Sequence, residues 1–256
     1  MRWLLALTNL GLPLAYMSLQ GHLDAERAAP RAAVVWETLL IQTLQLLTDA
    51  TITATTLERV SAALMFLLSF DLYLRGTEAL KIFSAEHRTP LRAAVDYADA
   101  WSVTLSPSHM GELPKTGRAN LTNTIGTMHP ARAWLSRLGP ILRRLGRGGD
   151  RLFRLTPRRY LALFHASRAA AGLKKAEPHG CRHGGPSVDA MLKSNSDQAT
   201  ADRGDWGSER AIRVYRRPGP YLRLLHALSP EQLAMARAAP EQIIAESKRL
   251  VTLLRL

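Results

Sequence analysis

Four residues between positions 178 and 215 have types and spacing that can handle a phosphodiester. His179 stands three residues before Arg182 in Pro178-His179-Gly180-Cys181-Arg182-His183-Gly184-Gly185; Trp206 sits in Arg203-Gly204-Asp205-Trp206-Gly207-Ser208, and Tyr215 follows nine residues later. Breaking a phosphodiester without metal requires a nucleophile, neutralisation of the two non-bridging oxygens and a proton for the departing sugar oxygen. A tyrosine hydroxyl can attack, and a guanidinium holds two oxygens with its fixed fork of donors at any relevant pH. Imidazole can donate to the phosphate or manage a proton. Indole N–H donates a hydrogen bond but is neither acid nor base, so Trp206 is suited to contact and packing. This set lacks a second arginine and a proton donor, which must come from upstream.

The elements that would position them are readable from periodicity. Ala32 to Leu47 carries Val35, Trp36, Leu39, Leu40, Leu44 and Leu47 at the intervals of an amphipathic helix. After a threonine-rich break, Leu57 to Tyr73 resumes the pattern and delivers Leu74-Arg75-Gly76-Thr77-Glu78-Ala79-Leu80. Trp101 to Leu105 and Asn120 to Ile125 alternate as strands of a hairpin or a three-stranded sheet. The turn-rich stretch between them holds Pro114-Lys115-Thr116-Gly117. Pro130 to Leu145 reads as a helix with Trp134, Leu135, Leu138, Ile141 and Leu142 inward and Arg132, Arg137, Arg143 and Arg144 outward. Gly139-Pro140 is placed to kink or split it. Thr156-Pro157 starts a helix running through Ala171, and Pro178 opens the helix of His179 and Arg182. Ser229 to Gln232 has capping-box spacing, and a last helix is expected after Pro240.

Charge narrows the class of partner. The chain of 256 residues has 34 Lys and Arg against 21 Asp and Glu, a net +13, which favours a polyanion. The excess is local. Residues 1 to 60 hold four arginines against five acids, whereas Ala131 to Arg182 holds thirteen basic residues against Asp150 and Glu177. With 46% hydrophobic and 21% charged residues, disorder is not the default reading. Cys181 is the only cysteine, which excludes an intrachain disulfide and a cysteine-based zinc cluster. On a helix His179 and His183 share a face while Cys181 points elsewhere, so no metal is expected. Neither the Gly184-Gly185 pair nor the Gly146 to Gly149 cluster has nucleotide-loop spacing; both read as turn or packing glycines. Trp3 to Gly21 carries no charge, but Thr8, Asn9, Gly11, Pro13, Ser18 and Gln20 dilute it, so a membrane role is not expected.

The order His179, Arg182, Trp206, Tyr215, preceded by Leu74-Arg75-Gly76-Thr77-Glu78-Ala79-Leu80 and Lys115-Thr116-Gly117, resembles the tyrosine recombinase (phage integrase) family over about Leu57 to Leu225. The resemblance implies an α+β, mainly α fold, a helical bundle with a small antiparallel β-sheet. It implies that Tyr215 attacks phosphorus and holds a 3′-phosphotyrosyl bond, that Arg75, Arg182, His179 and Trp206 hold the phosphate, and that Lys115 protonates the leaving 5′ oxygen. Glu78 would steady Arg75, with His183 in the supporting layer, and Arg143, Arg144, Arg158 and Arg159 would face DNA. Trp206 departs from many relatives, which have His there. The expected organisation is an apolar and helical segment over 1–56, which the resemblance would read as a reduced core-binding domain, a catalytic domain over 57–225 and C-terminal helices over 226–256. The expected partner is double-stranded DNA, bound as a synaptic tetramer in which the helices after Pro230 dock on a neighbour. No cofactor is implied, and the place of work would be with DNA, in nucleus or nucleoid. The alternative is a non-catalytic DNA-binding remnant of a mobile-element recombinase.

Overall fold

Thr55 opens the helix that leads to the first arginine. The structure, a computed structural model, describes residues 33–82, 87–88, 101–105, 121–127, 129–146 and 151–254. The Thr55 hydroxyl accepts from the Glu58 N–H at 3.2 Å, and the Glu58 carboxylate accepts from the Thr55 N–H at 2.8 Å. This reciprocal cap fixes the start of α2 (Thr56–Asp71). Every residue of α2 from Val60 to Asp71 is buried, so it is the central helix and not a surface one. The preceding α1 (Trp36–Thr48) is tied to it by Arg59, whose Nη1 donates to the carbonyls of Leu46 and Asp49 at 2.7 Å each. These carbonyls belong to the end of α1, where helical partners run out. A one-turn helix, α3 (Gly76–Ala79), follows directly.

Glu58 has a second role. It accepts from Arg159 Nε at 2.7 Å and Nη2 at 3.0 Å, and that hydrogen bonding holds its carboxyl at about 2 against an ordinary 4.5. Because the folded value is depressed, the stabilisation is complete above pH 4.5 and disappears as pH falls toward about 2. We therefore expect the stability gap between wild type and Glu58→Gln, which keeps the capping group, to close over that window in pH-dependent urea melts. A gap unchanged down to about pH 2.5 would contradict the pairing.

The strands β1 (His87–Arg88), β2 (Trp101–Leu105) and β3 (Leu121–Ile125) form a three-stranded antiparallel sheet in that order. Trp101 lies opposite Ile125 and Val103 opposite Asn123, and these four side chains are buried. The turn between β2 and β3, with Lys115, lies outside the described residues, as do the charge-free stretch Trp3 to Gly21 and residues 147–150, which hold Gly148 and Gly149 of the glycine cluster.

Gly139-Pro140 does split the next helix, into a 3₁₀ segment (Pro130–Leu138) and α4 (Gly139–Gly146). One expectation fails here: Arg132 is not on the outer face but is 1% exposed. The tighter 3₁₀ turn sets residues on a period of three rather than 3.6, and two buried carboxylates await the guanidinium. The remaining elements are α5 (Pro157–Ala170), α6 (Gly180–Met191), α7 (Asp197–Gly204), α8 (Glu209–Tyr215), α9 (Pro218–His226) and α10 (Pro230–Thr252). His179 is the N-cap residue of α6 rather than a member of it. Gly184 and Gly185 lie inside α6 as packing glycines, not in a turn.

Pro240 does not start a separate helix. It lies within α10, which begins at the reciprocal Ser229 and Gln232 cap and runs unbroken to Thr252 along α1. Ala236 and Ala239 before Pro240, and Ile243, Ile244, Leu250 and Val251 after it, are all buried. Burial of each large aliphatic side chain contributes about 1.5–3 kcal/mol, which together outweighs the roughly 3 kcal/mol disadvantage of an interior proline. α10 is thus folded onto its own chain. The whole is mainly helical with one small antiparallel sheet, as the resemblance implies. Among the described residues no helix is long and apolar enough to cross a membrane.

Candidate active site

The site forms where α2 ends. Leu74 N–H bonds back to the Ser69 carbonyl at 2.9 Å, closing the helix with Tyr73 in the left-handed conformation at φ 55°. The chain then turns extended at Arg75, which becomes the N-cap of α3. The Glu78 carboxylate accepts from the Arg75 N–H at 2.7 Å and from the Arg75 guanidinium. Its other reach is to Arg182 Nη1 at 3.5 Å. Glu78 therefore sits between the two arginines.

Arg182 enters from α6 and is 2% exposed. Its Nη1 donates to the Tyr73 carbonyl at 2.5 Å and its Nη2 to the Gly204 carbonyl at 2.7 Å. Burial lowers its pKa and Arg75 adds to the effect, while Glu78 and Tyr215 oppose it. Its guanidinium carbon lies 5.2 Å from the ring centres of both Trp206 and Tyr215. Trp206 follows α7 through Asp205, a left-handed residue at φ 52°, and it stacks on Tyr215 at 4.7 Å and 8°. The His183 ring is 4.7 Å from the Tyr215 ring and the His179 ring 6.2 Å. The Ser187 hydroxyl lies 2.6 Å from the His183 carbonyl and 3.0 Å from the Tyr215 carbonyl, which share its one proton, and it accepts from the Arg217 N–H at 2.9 Å, linking the end of α8 to α6.

Six of the predicted residues, Arg75, Glu78, His179, Arg182, Trp206 and Tyr215, thus meet, with His183 in direct contact with the Tyr215 ring. Lys115 lies outside the described residues. The four arginines assigned to the DNA face differ in setting. Arg143 is exposed with its guanidinium 5.1 Å from the Trp101 ring centre, and Arg158 is exposed. Arg144 donates to the Leu254 carbonyl at 3.0 Å, and Arg159 is held by Glu58 and by the Thr53 carbonyl at 2.5 Å. No group of His, Cys, Asp and Glu among the described residues is arranged for a metal ion.

Two N–H donors in this cluster are buried without an acceptor: Arg182 Nε and Trp206 Nε1. A buried donor left unsatisfied costs about 1–3 kcal/mol, more for a charged group, so native structures keep few of them. Both belong to side chains against the Tyr215 ring.

Sequence reasoning missed the support beneath the site. Asp71, Arg132, Asp189 and Arg203 are each 4% exposed or less and form one ionic network. Arg132 Nε donates to Asp71 at 2.9 Å and its Nη2 to both Asp189 oxygens at 2.8 Å. Arg203 donates to the Asp71 carbonyl at 2.7 Å, to its carboxylate at 3.1 Å and to the Thr124 carbonyl at 2.7 Å. Two positive and two negative groups balance, which makes such burial tolerable. Burial works against the Arg132 charge, yet Asp71 and Asp189 raise its pKa overall. The Tyr73 hydroxyl donates to Asp189, and burial together with that carboxylate pushes its pKa well up.

No protein-family model and no curated protein matches the chain. Solved structures give a loose likeness. The structure of XerH site-specific recombinase bound to palindromic difH substrate, a post-cleavage complex, is 14% identical at a TM-score of 0.47, covering 78% of this chain and 50% of that one. The pre-cleavage complex of XerH bound to difH substrate is 14% identical at 0.47, covering 74% and 51%. The chain spans about half the length of these proteins.

Proposed function

We propose that the chain is a DNA breaking and rejoining enzyme of the tyrosine recombinase type, acting in site-specific recombination or DNA integration. The observation that carries the reading is the pair of buried, unsatisfied donors on Arg182 and Trp206 beside Tyr215. A phosphate oxygen is the acceptor they lack, and its charge makes those bonds stronger than neutral ones. Arg75, steadied by Glu78, adds the second guanidinium. The Tyr215 oxygen attacks phosphorus, the bond from phosphorus to the 5′ oxygen breaks, and that oxygen takes a proton from Lys115. Rejoining reverses the step: the 5′ hydroxyl attacks the phosphotyrosyl bond and Tyr215 leaves. His179 donates to a phosphate oxygen or manages the tyrosine proton. The expected partner is double-stranded DNA gripped in part by the basic 131 to 182 stretch, with several copies of the chain meeting on it and residues 57–225 as the catalytic part.

The test is a covalent trap. The protein is incubated with a randomised pool of nicked duplexes, in which the fragment bearing the 5′ hydroxyl diffuses away after cleavage. A denaturation-resistant adduct is expected, with the DNA mapped to the peptide containing Tyr215 by mass spectrometry. Absence of any adduct, with salt-sensitive DNA binding retained, would leave the chain as a non-catalytic DNA-binding remnant.

A further inference from the structure

Tyr73 occupies the position that closes a helix with a left-handed residue, a place where glycine is favoured because a side chain strains the backbone. The large ring is nevertheless present and wholly buried. Its plane lies 7° from that of Trp206, with ring centres 5.9 Å apart, and Trp206 in turn lies 8° from Tyr215 at 4.7 Å. Three near-parallel rings thus form one pile ending at the proposed nucleophile. The far end is anchored by the Tyr73 hydroxyl on Asp189, which Arg132 also holds. Space for the pile is made by two glycines. A Cβ at Gly185 would lie 2.6 Å from the Tyr73 ring, and one at Gly204 would lie 2.6 Å from the Trp206 ring. The Tyr73 carbonyl, turned by the left-handed backbone, receives Arg182.

We propose that Tyr73 is a positioning residue for Tyr215, acting through its flat ring on the face of Trp206. The inference rests on the reading of Tyr215 as nucleophile. Its physical core is that a ring clamped in plane by stacking keeps its hydroxyl on one line of approach, and a small misplacement of a reacting atom is felt strongly in rate.

The test compares Tyr73→Met, which fills similar space without a flat ring, with Tyr73→Phe, which keeps the ring and loses only the Asp189 bond. With a cleavable nicked duplex in single turnover, Tyr73→Met is expected to form adduct about 30-fold more slowly with DNA affinity unchanged, and Tyr73→Phe to stay within about 3-fold of wild type. Without DNA, nitration of Tyr215 by tetranitromethane, read by mass spectrometry, is expected to rise severalfold in Tyr73→Met and to stay at the wild-type level in Tyr73→Phe. Equal behaviour of the two variants in both measurements overturns the proposal. If wild type forms no adduct, the recombinase reading fails and nitration alone decides the role of Tyr73. If Tyr73→Met does not melt cooperatively, Tyr73→Phe decides: near-wild-type rate and nitration uphold the ring as the working part, and a loss in rate as large as that expected of Met overturns it.

Discussion

Tyr215→Phe is expected to form no covalent DNA adduct while folding and binding DNA as wild type does. The phenyl ring retains the stack on Trp206, the contact with His183 and the place of the Arg182 guanidinium beside it, while the interaction of Arg182 with the Tyr215 hydroxyl goes with the oxygen. The backbone tie from Ser187 to the Tyr215 carbonyl is likewise untouched. Only the oxygen proposed to attack is removed, and the other tyrosine hydroxyl in the ring pile, that of Tyr73, is buried and committed to Asp189. A drop of at least about 10⁴-fold in adduct yield is the expected size when a nucleophile is deleted, with the melting midpoint unchanged. An adduct persisting in this variant would move the nucleophile elsewhere in the chain.

Arg132→Leu is expected to destabilise the fold by about 3–5 kcal/mol, because it removes one partner of a buried ionic set and leaves a carboxylate uncompensated. Asp71 retains Arg203 and the Gly126 N–H at 2.7 Å. Asp189 keeps the Tyr73 hydroxyl and a weak reach from Ser194 at 3.4 Å, but no cation among the described residues. Urea denaturation measures the loss directly. The double variant Arg132→Leu, Asp189→Asn is expected to recover part of it, since removing the carboxylate charge is less harmful than stranding it, while Asp71 stays to balance Arg203. A loss under about 1 kcal/mol in Arg132→Leu would mean that the network is better solvated than its burial implies.

What was legible in the sequence divides along the range of the interaction. Ser229 and Gln232 are three residues apart, and their cap forms as the spacing indicates; the same spacing from Thr55 to Glu58 makes a second cap, hidden in the sequence by the threonine-rich break. The apolar periods of α1, α2 and α5 and the alternation of β2 and β3 are also local, and these elements stand where their patterns place them. Arg132 is the opposite case. Its partners Asp71 and Asp189 lie 61 and 57 residues away, and a periodicity argument assigns any arginine to the outside. A signal was present: Asp71 closes a largely apolar run from Leu64 to Phe70, and a carboxylate there requires a buried cation. Pro240 misled because a local rule, proline as helix breaker, is overridden by packing of both half-helices against α1. The site lies between these extremes. Residue types from 179 to 215 pointed to residues that the fold brings together, while the ring pile beneath Tyr215 depends on Tyr73, which reads in the sequence as one more apolar position at the end of a helix.

The packing of α10 on α1 bears on how the protein is made. Chains generally acquire structure from the N-terminal side as they emerge during synthesis, but here the first described helix and the last cover one another. α2 and α5 pack on α1 as well, but the part of α1 that α10 covers receives that partner only when residues 230 to 252 have left the ribosome. That part of the α1 surface therefore gains its α10 cover late in elongation, and the interval before then is when chaperone engagement or aggregation at it is decided.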